Sequence, residues 1–123
     1  MGGSTDPKVK PLAKQDTRHY TEILVMGQRE ALRGFWVVAL CPSEALNTCR
    51  NILAGMQTTG ASFSGRTMIY PEGGRLSLLG PGDDLDTKRP LKVLFVGWDR
   101  DSPHKTVLNK WRERATEILQ RVH

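Results

Sequence analysis

The sequence predicts a single α/β or α+β domain, with two helices packed on one mixed β-sheet of about five strands. Two continuous apolar runs, FWVVAL at residues 35–40 and KVLFVGW at residues 92–98, lack the alternation of a strand with one wet face. They are typical of central strands covered on both sides. Each run precedes a polar corner and a helix with an apolar stripe, so we expect two strand–helix units in one sheet.

The predicted order of elements is β-β-α-β-β-β-α, and its first strand is the least determined element. Residues 20–26 (YTEILVM) fit a strand, but they also fit a helix that begins after Asp16 and is interrupted at Gly27. We favour a strand that pairs with residues 35–40 through the polar connection at residues 27–34.

Each central strand is followed by a predicted helix with its own cap. Ser43 is the expected cap of the first helix, and Glu44 places a negative charge at the positive end of the helix dipole. Ser102 is the expected cap of the second helix, with Pro103 at its first position. The first stripe comprises Ala45, Leu46, Cys49, Ile52, Leu53 and Met56, and the second comprises Val107, Leu108, Trp111, Ala115, Ile118, Leu119 and Val122.

Between these units the sequence predicts a loop at residues 57–65, a hairpin at residues 66–79 and a second loop at residues 80–90. The turn PEGG at the centre of the hairpin supplies a fixed dihedral at Pro71 and permissive ones at its glycines. The second loop carries three acidic residues, Asp83, Asp84 and Asp86. Because this cluster lacks the glycine and the distal glutamate of a calcium loop, we interpret it as a solvated turn and predict no metal site.

Composition indicates one domain at residues 17–123, preceded by a flexible basic arm at residues 1–16. The chain has 123 residues, of which 38% are hydrophobic and 25% charged, as in ordinary soluble proteins. It shows neither a membrane-spanning run nor a secretory signal, so we expect a cytoplasmic protein. Cys41 and Cys49 are expected to be free thiols, roughly 12 Å apart at about 1.5 Å per helical residue.

The two strand–helix corners are where catalysis would occur. If the central strands are parallel, their carboxyl ends bring Cys41 near Asp99, Asp101 and His104. A cysteine beside a helix N-terminus and a histidine can have a lowered pKa, which increases the fraction of reactive thiolate. These four residues are candidate catalytic residues on that condition. The alternative is that Cys41 is a buried packing residue and that the other three belong to turns and surface.

The first corner also resembles the active-site segment of thioredoxin-like proteins. Phe35-Trp36 on a strand is followed by Cys41-Pro42 at the start of a helix. Glu44 occupies the position of the second cysteine of a C-x-x-C pair, and the spacing from Trp36 differs. The resemblance therefore implies a thiol enzyme with a single cysteine.

The charge of the chain indicates acidic partners, with nucleic acid first among them. The formal net charge is +5 and the pI is about 9.6, so acidic partners are expected. The sequence lacks a glycine-rich phosphate loop, an H-E-x-x-H motif and spaced histidines, so we predict neither cofactor nor metal. The candidate binding residues lie on the second helix and on the arm: Lys105, Lys110, Arg112, Arg114, Arg121, Lys8, Lys10 and Lys14.

We therefore predict a small cytoplasmic binding or regulatory module that acts through another protein or a second copy of itself, and not through a membrane. A nucleic-acid-binding accessory protein that uses the basic face of the second helix is one alternative. A thiol enzyme centred on Cys41 is the other. Nothing in the sequence requires an enzyme.

Overall fold

A computed structural model describes residues 17–98 and 105–119 of the chain. Their elements, in order, are α1 (Thr17–Leu32), β1 (Trp36–Leu40), a 3-10 helix (Ser43–Ala45), α2 (Leu46–Gly55), β2 (Ser62–Ser64), β3 (Thr67–Ile69), β4 (Arg75–Leu79), β5 (Leu91–Phe95), α3 (Lys105–Arg114) and β6 (Glu117–Ile118). The described residues thus contain three α-helices and six strands, one helix and one strand more than predicted.

The strands form one mixed sheet in the order β2-β3-β4-β1-β5-β6. The central strand β1 runs parallel to both β4 and β5, and β5 runs parallel to β6. The hairpin strands β3 and β4 are antiparallel, as are β2 and β3. The mixed sheet, the central position of β1 and the hairpin are confirmed, and the carboxyl ends of β1 and β5 do meet at one edge.

Helices cover the sheet on both faces. Alternate residues of β1 point to opposite sides, as in any strand. Val37 and Ala39 belong to the core under α1 and α2, whereas Val38 and Leu40 pack with Trp111 of α3. This burial on both faces explains why the apolar run of β1 has no polar alternation.

The prediction of a strand at residues 20–26 is wrong, because this segment lies within α1. Ile23 and Leu24 are buried against the sheet, and the helix continues through Gly27 without a break. Gly27 allows the helix to approach closely, since a Cβ there would lie 2.9 Å from Leu94 Cδ2 and 3.2 Å from Leu76 Cδ1. The glycine that looked like a helix breaker is a packing residue.

The helix α1 ends in a Schellman motif that leads directly into β1. Gly34, with φ of +100°, donates its N–H to Ala31 O at 2.9 Å, and Phe35 donates to Glu30 O at 3.2 Å. These two bonds satisfy carbonyl groups at the helix end, and the positive φ favours glycine. The chain therefore turns from the end of α1 directly into β1.

The second predicted helix is shorter than its apolar stripe suggested. The helix α3 ends at Arg114, and β6 follows, although the stripe predicted helix as far as Val122. Thr116 donates its N–H to Leu91 O at 2.8 Å, and Leu119 donates to Val93 O at 2.8 Å. The backbone after Arg114 thus pairs with the open side of β5, which is favourable because unpaired buried amides are costly.

Two further predictions about the elements need correction. Ser43 is not a helix cap: it is the first residue of the 3-10 helix, and the position before it is Pro42 without a side-chain cap bond. The strand β2 was predicted as loop, since its three residues Ser62–Ser64 carry no strand pattern. Ser102, Pro103, Val122 and the arm at residues 1–16 lie outside the described residues.

The close packing at Gly27 predicts a large effect of a side chain at this position. Gly27→Val should lower the free energy of unfolding by about 2 kcal/mol or more, since the new atoms would displace Leu94 and Leu76 in a filled core. Gly55→Val is the matched control, because a Cβ at Gly55 meets nothing within 4 Å. Urea denaturation of both variants measures the difference. Equal stability of the two variants would contradict the packing role of Gly27.

Candidate binding surface

At the carboxyl edge of the sheet, where the conditional catalytic candidates were predicted to lie, Cys41 is enclosed by packing. Cys41 is completely buried, and its Sγ lies 3.8 Å from Ala39 O. Trp98 donates its indole N–H to Leu40 O at 2.9 Å, and a Cβ on Gly97 would lie 2.9 Å from the Cβ of Ala45. The other three candidate catalytic residues, Asp99, Asp101 and His104, lie outside the described residues.

The two cysteines are free thiols, as predicted, and both are fully buried in the same core cluster. The side-chain hydrogen bond with Cys49, followed by burial, raises the pKa of the Cys41 thiol. Thiol catalysis needs the opposite shift.

Two residues of the basic face predicted for the C-terminal helix are engaged by the acidic loop at residues 80–90. Arg114 binds Asp84 Oδ1 at 2.8 Å and the carbonyl oxygen of Leu85 at 2.7 Å. Lys110 donates to the carbonyl oxygen of Asp83 at 2.8 Å. On the other side of the loop, Arg66 lies 3.6 Å from Asp83 Oδ2. Asp83 and Asp84 of the acidic cluster therefore compensate part of the charge of the basic helix inside the molecule.

The remaining predicted binding residues are distributed differently. Lys105 and Arg112 are exposed on α3 and form no ion pair with the described residues. Arg121, Lys8, Lys10 and Lys14 lie outside the part of the chain that the structure describes.

The opposite edge of the sheet, where β1, β4 and β5 begin, carries a cluster that the sequence did not predict. The guanidinium groups of Arg75 and Arg89 lie 4.4 Å and 4.6 Å from the centre of the Trp36 ring. Trp36 is the register partner of both Arg75 and Leu91, so the arginines come from either side of β1. Among the described residues, no carboxylate lies within ion-pair distance of either arginine.

The hairpin turn fixes Trp36 in place. The indole N–H of Trp36 donates to Gly73 O at 3.1 Å, and Gly73 has a φ of +93° that favours glycine. A Cβ on Gly74 would overlap the carbonyl oxygen of Ala31 and lie 2.9 Å from the carbonyl oxygen of Phe35. Only glycine fits between the turn and the end of α1, and this close contact sets Arg75 beside Trp36.

Phe35 extends the cluster around the edge toward α1. The centre of its ring lies 3.7 Å from Lys92 Nζ and 5.5 Å from the guanidinium carbon of Arg33. Glu30 binds Lys92 at 2.7 Å and Arg33 at 3.4 Å. The hydrogen bond between Glu30 and Lys92 lowers the pKa of the carboxyl group and raises that of the amine. Both groups are therefore charged at neutral pH, and Lys92 is partly neutralised.

Exposed apolar side chains also gather at this edge. Phe35 is 38% exposed and Leu32 is 37% exposed, and they are the exposed large hydrophobic residues of the described chain. We call Arg33, Phe35, Trp36, Arg75 and Arg89 the amino-edge surface. It combines exposed aromatic area with two arginines that have no internal acidic partner, which is the composition of binding sites.

Comparisons with family models, with curated proteins and with solved structures found no match for this chain. The described residues contain no group of three or more His, Cys, Asp or Glu that could hold a metal ion. Among the same residues, none of the helices combines the length and the apolar character needed to cross a membrane.

The raised pKa of Cys41 predicts slow alkylation. In the native protein, iodoacetamide should modify Cys41 with an apparent pKa at or above the ordinary thiol value of about 8.5, because burial and the bond to Cys49 favour the neutral thiol. Peptide mapping of the alkylated protein separates Cys41 from Cys49, and the guanidinium-unfolded protein gives the reference rate. Alkylation of native Cys41 faster than in the unfolded chain would contradict the buried thiol pair.

Proposed function

We propose that this protein is a cytoplasmic binding module whose amino-edge surface recognises an acidic macromolecule. The observation that carries the proposal is the contact of Arg75 and Arg89 with Trp36, at an edge where neither arginine has an acidic partner among the described residues. Arginine and tryptophan are the residue types that most often dominate binding energy at interfaces.

Uncompensated charge next to exposed aromatic area supports this location over α3, where Lys105 and Arg112 are also unpaired but none of the described large hydrophobic residues is exposed. The acidic loop uses Lys110 and Arg114 internally, so their charge is already compensated. At the amino edge, by contrast, Glu30 compensates Lys92 and Arg33 only. A chain with a net charge of +5 therefore presents part of its uncompensated charge next to exposed aromatic area.

The same charge disfavours self-association through this surface. A second copy of the chain would bring Arg75 and Arg89 against another cationic surface, and like charges across an interface are repulsive. An acidic protein and a nucleic acid both supply complementary charge. Lys8, Lys10 and Lys14 of the arm would add to the attraction.

Heparin affinity tests the proposal, since heparin is a generic polyanion. The double variant R75A/R89A should elute from a heparin column at clearly lower salt than the wild type, because two uncompensated charges are lost from the site. The variant K105A/R112A removes the same number of charges from the exposed face of α3 and is the matched control. It should shift elution less.

Circular dichroism melting shows whether both variants remain folded. Equal shifts in elution for the two variants would contradict the proposal, because the attraction would then depend on total charge and not on the amino-edge surface.

A further inference from the structure

We infer that the acidic partner is single-stranded nucleic acid, whose bases stack on planar side chains of the amino-edge surface. This inference rests on the proposed function and adds the chemical class of the partner. The surface offers three planar groups suited to stacking, the guanidinium planes of Arg75 and Arg89 and the ring of Phe35.

Trp36 holds the guanidinium groups of Arg75 and Arg89 in place. At 4.4 Å and 4.6 Å from the ring centre, both groups are in the range of cation–π contact. Trp36 is itself fixed by its bond to Gly73 O. Because an arginine held in this way has lost part of its side-chain freedom before binding, stacking a base on its outer face costs less entropy.

Phe35 provides the second stacking position. The ring of Phe35 lies over Lys92 on the α1 side of the sheet, whereas Trp36 packs with the core on the α3 side, so the two rings lie on opposite sides of the same edge. Phe35 is 38% exposed, and its ring centre lies 3.7 Å from Lys92 Nζ and 5.5 Å from the guanidinium of Arg33, so a base would contact the part of the ring that these cations leave exposed. An extended strand that wraps around the edge would stack a base on each side and place phosphates near Arg33 and Arg89.

The planar side chains at the site favour single-stranded nucleic acid over other acidic partners. In a duplex the faces of the bases are covered by their neighbours, so they are not accessible for stacking on side chains. An acidic peptide offers carboxylates, which pair with the edges of the arginines and make no use of Phe35. The exposed ring and the two guanidinium groups beside Trp36 therefore favour a partner with accessible aromatic faces.

The test uses variants that keep charge and change shape. R75K/R89K preserves both positive charges but removes the planar guanidinium groups, and F35L preserves an apolar side chain but removes the ring. Binding of a fluorescein-labelled oligothymidylate of about 20 nucleotides is followed by anisotropy at low salt. Each variant should bind at least about fivefold more weakly than the wild type, from the loss of one stacked base. Heparin elution of both variants should remain close to that of the wild type.

The outcomes separate the inference from the proposed function. Unchanged oligothymidylate binding by R75K/R89K and F35L would overturn the inference, as would equal affinity for a duplex or for polyglutamate of similar length. No binding of oligothymidylate by the wild type at low salt would also overturn it. In these cases the proposed function still stands if R75A/R89A elutes from heparin at lower salt than K105A/R112A.

Discussion

The contact between Gly74 and the end of α1 determines the geometry of the amino edge. A side chain at Gly74 would overlap the carbonyl group of Ala31, so the hairpin turn can approach the helix only because this residue is glycine. The approach lets Arg75 donate its N–H to Phe35 O at 3.1 Å, which starts the pairing of β4 with β1. It also brings Gly73 O to the indole of Trp36. The same contact therefore fixes the register of the central strands and the position of the proposed binding residues.

Some charged side chains of the described residues pair with each other inside the molecule, and others lie at the surface without an ion-pair partner. At the acidic loop, Asp83 and Asp84 attach a long connection to α3 and to Arg66, which orders a segment that would otherwise be solvated. Partly exposed ion pairs of this kind contribute modest stability individually, but bonds from Arg114 to a carboxylate and a carbonyl group also fix geometry. The helix richest in cations is not the surface that we propose for binding, because two of its four cations are paired internally and none of the described large hydrophobic residues is exposed beside the others. Net charge alone could not have distinguished α3 from the amino-edge surface.

Local sequence patterns were sufficient to predict the elements whose residues follow local strand, helix and turn preferences. The run at β1, the stripe of α2 and the turn of the hairpin were predicted correctly because their residues follow strand, helix and turn preferences. The helix α1 was misread because Gly27 is explained by contact with Leu94, a residue far away in sequence. The strand β6 was misread because Ile118 and Leu119 continue the helical stripe, and only the open side of β5 selects the extended form. The amino-edge surface was missed because it depends on strand register and on Arg89, a loop residue.

The central claim is that binding occurs at the amino edge, and chemical-shift mapping with isotope-labelled protein tests it most directly. Addition of oligothymidylate at low salt should move the amide signals of residues 33–36, 73–75 and 88–92, together with the indole N–H of Trp36, more than any others in the described chain. This pattern is expected because the indole bond to Gly73 O and the arginine contacts lie at the site itself. Largest shifts along α3 or at residues 41–44 of the carboxyl edge would contradict the claim.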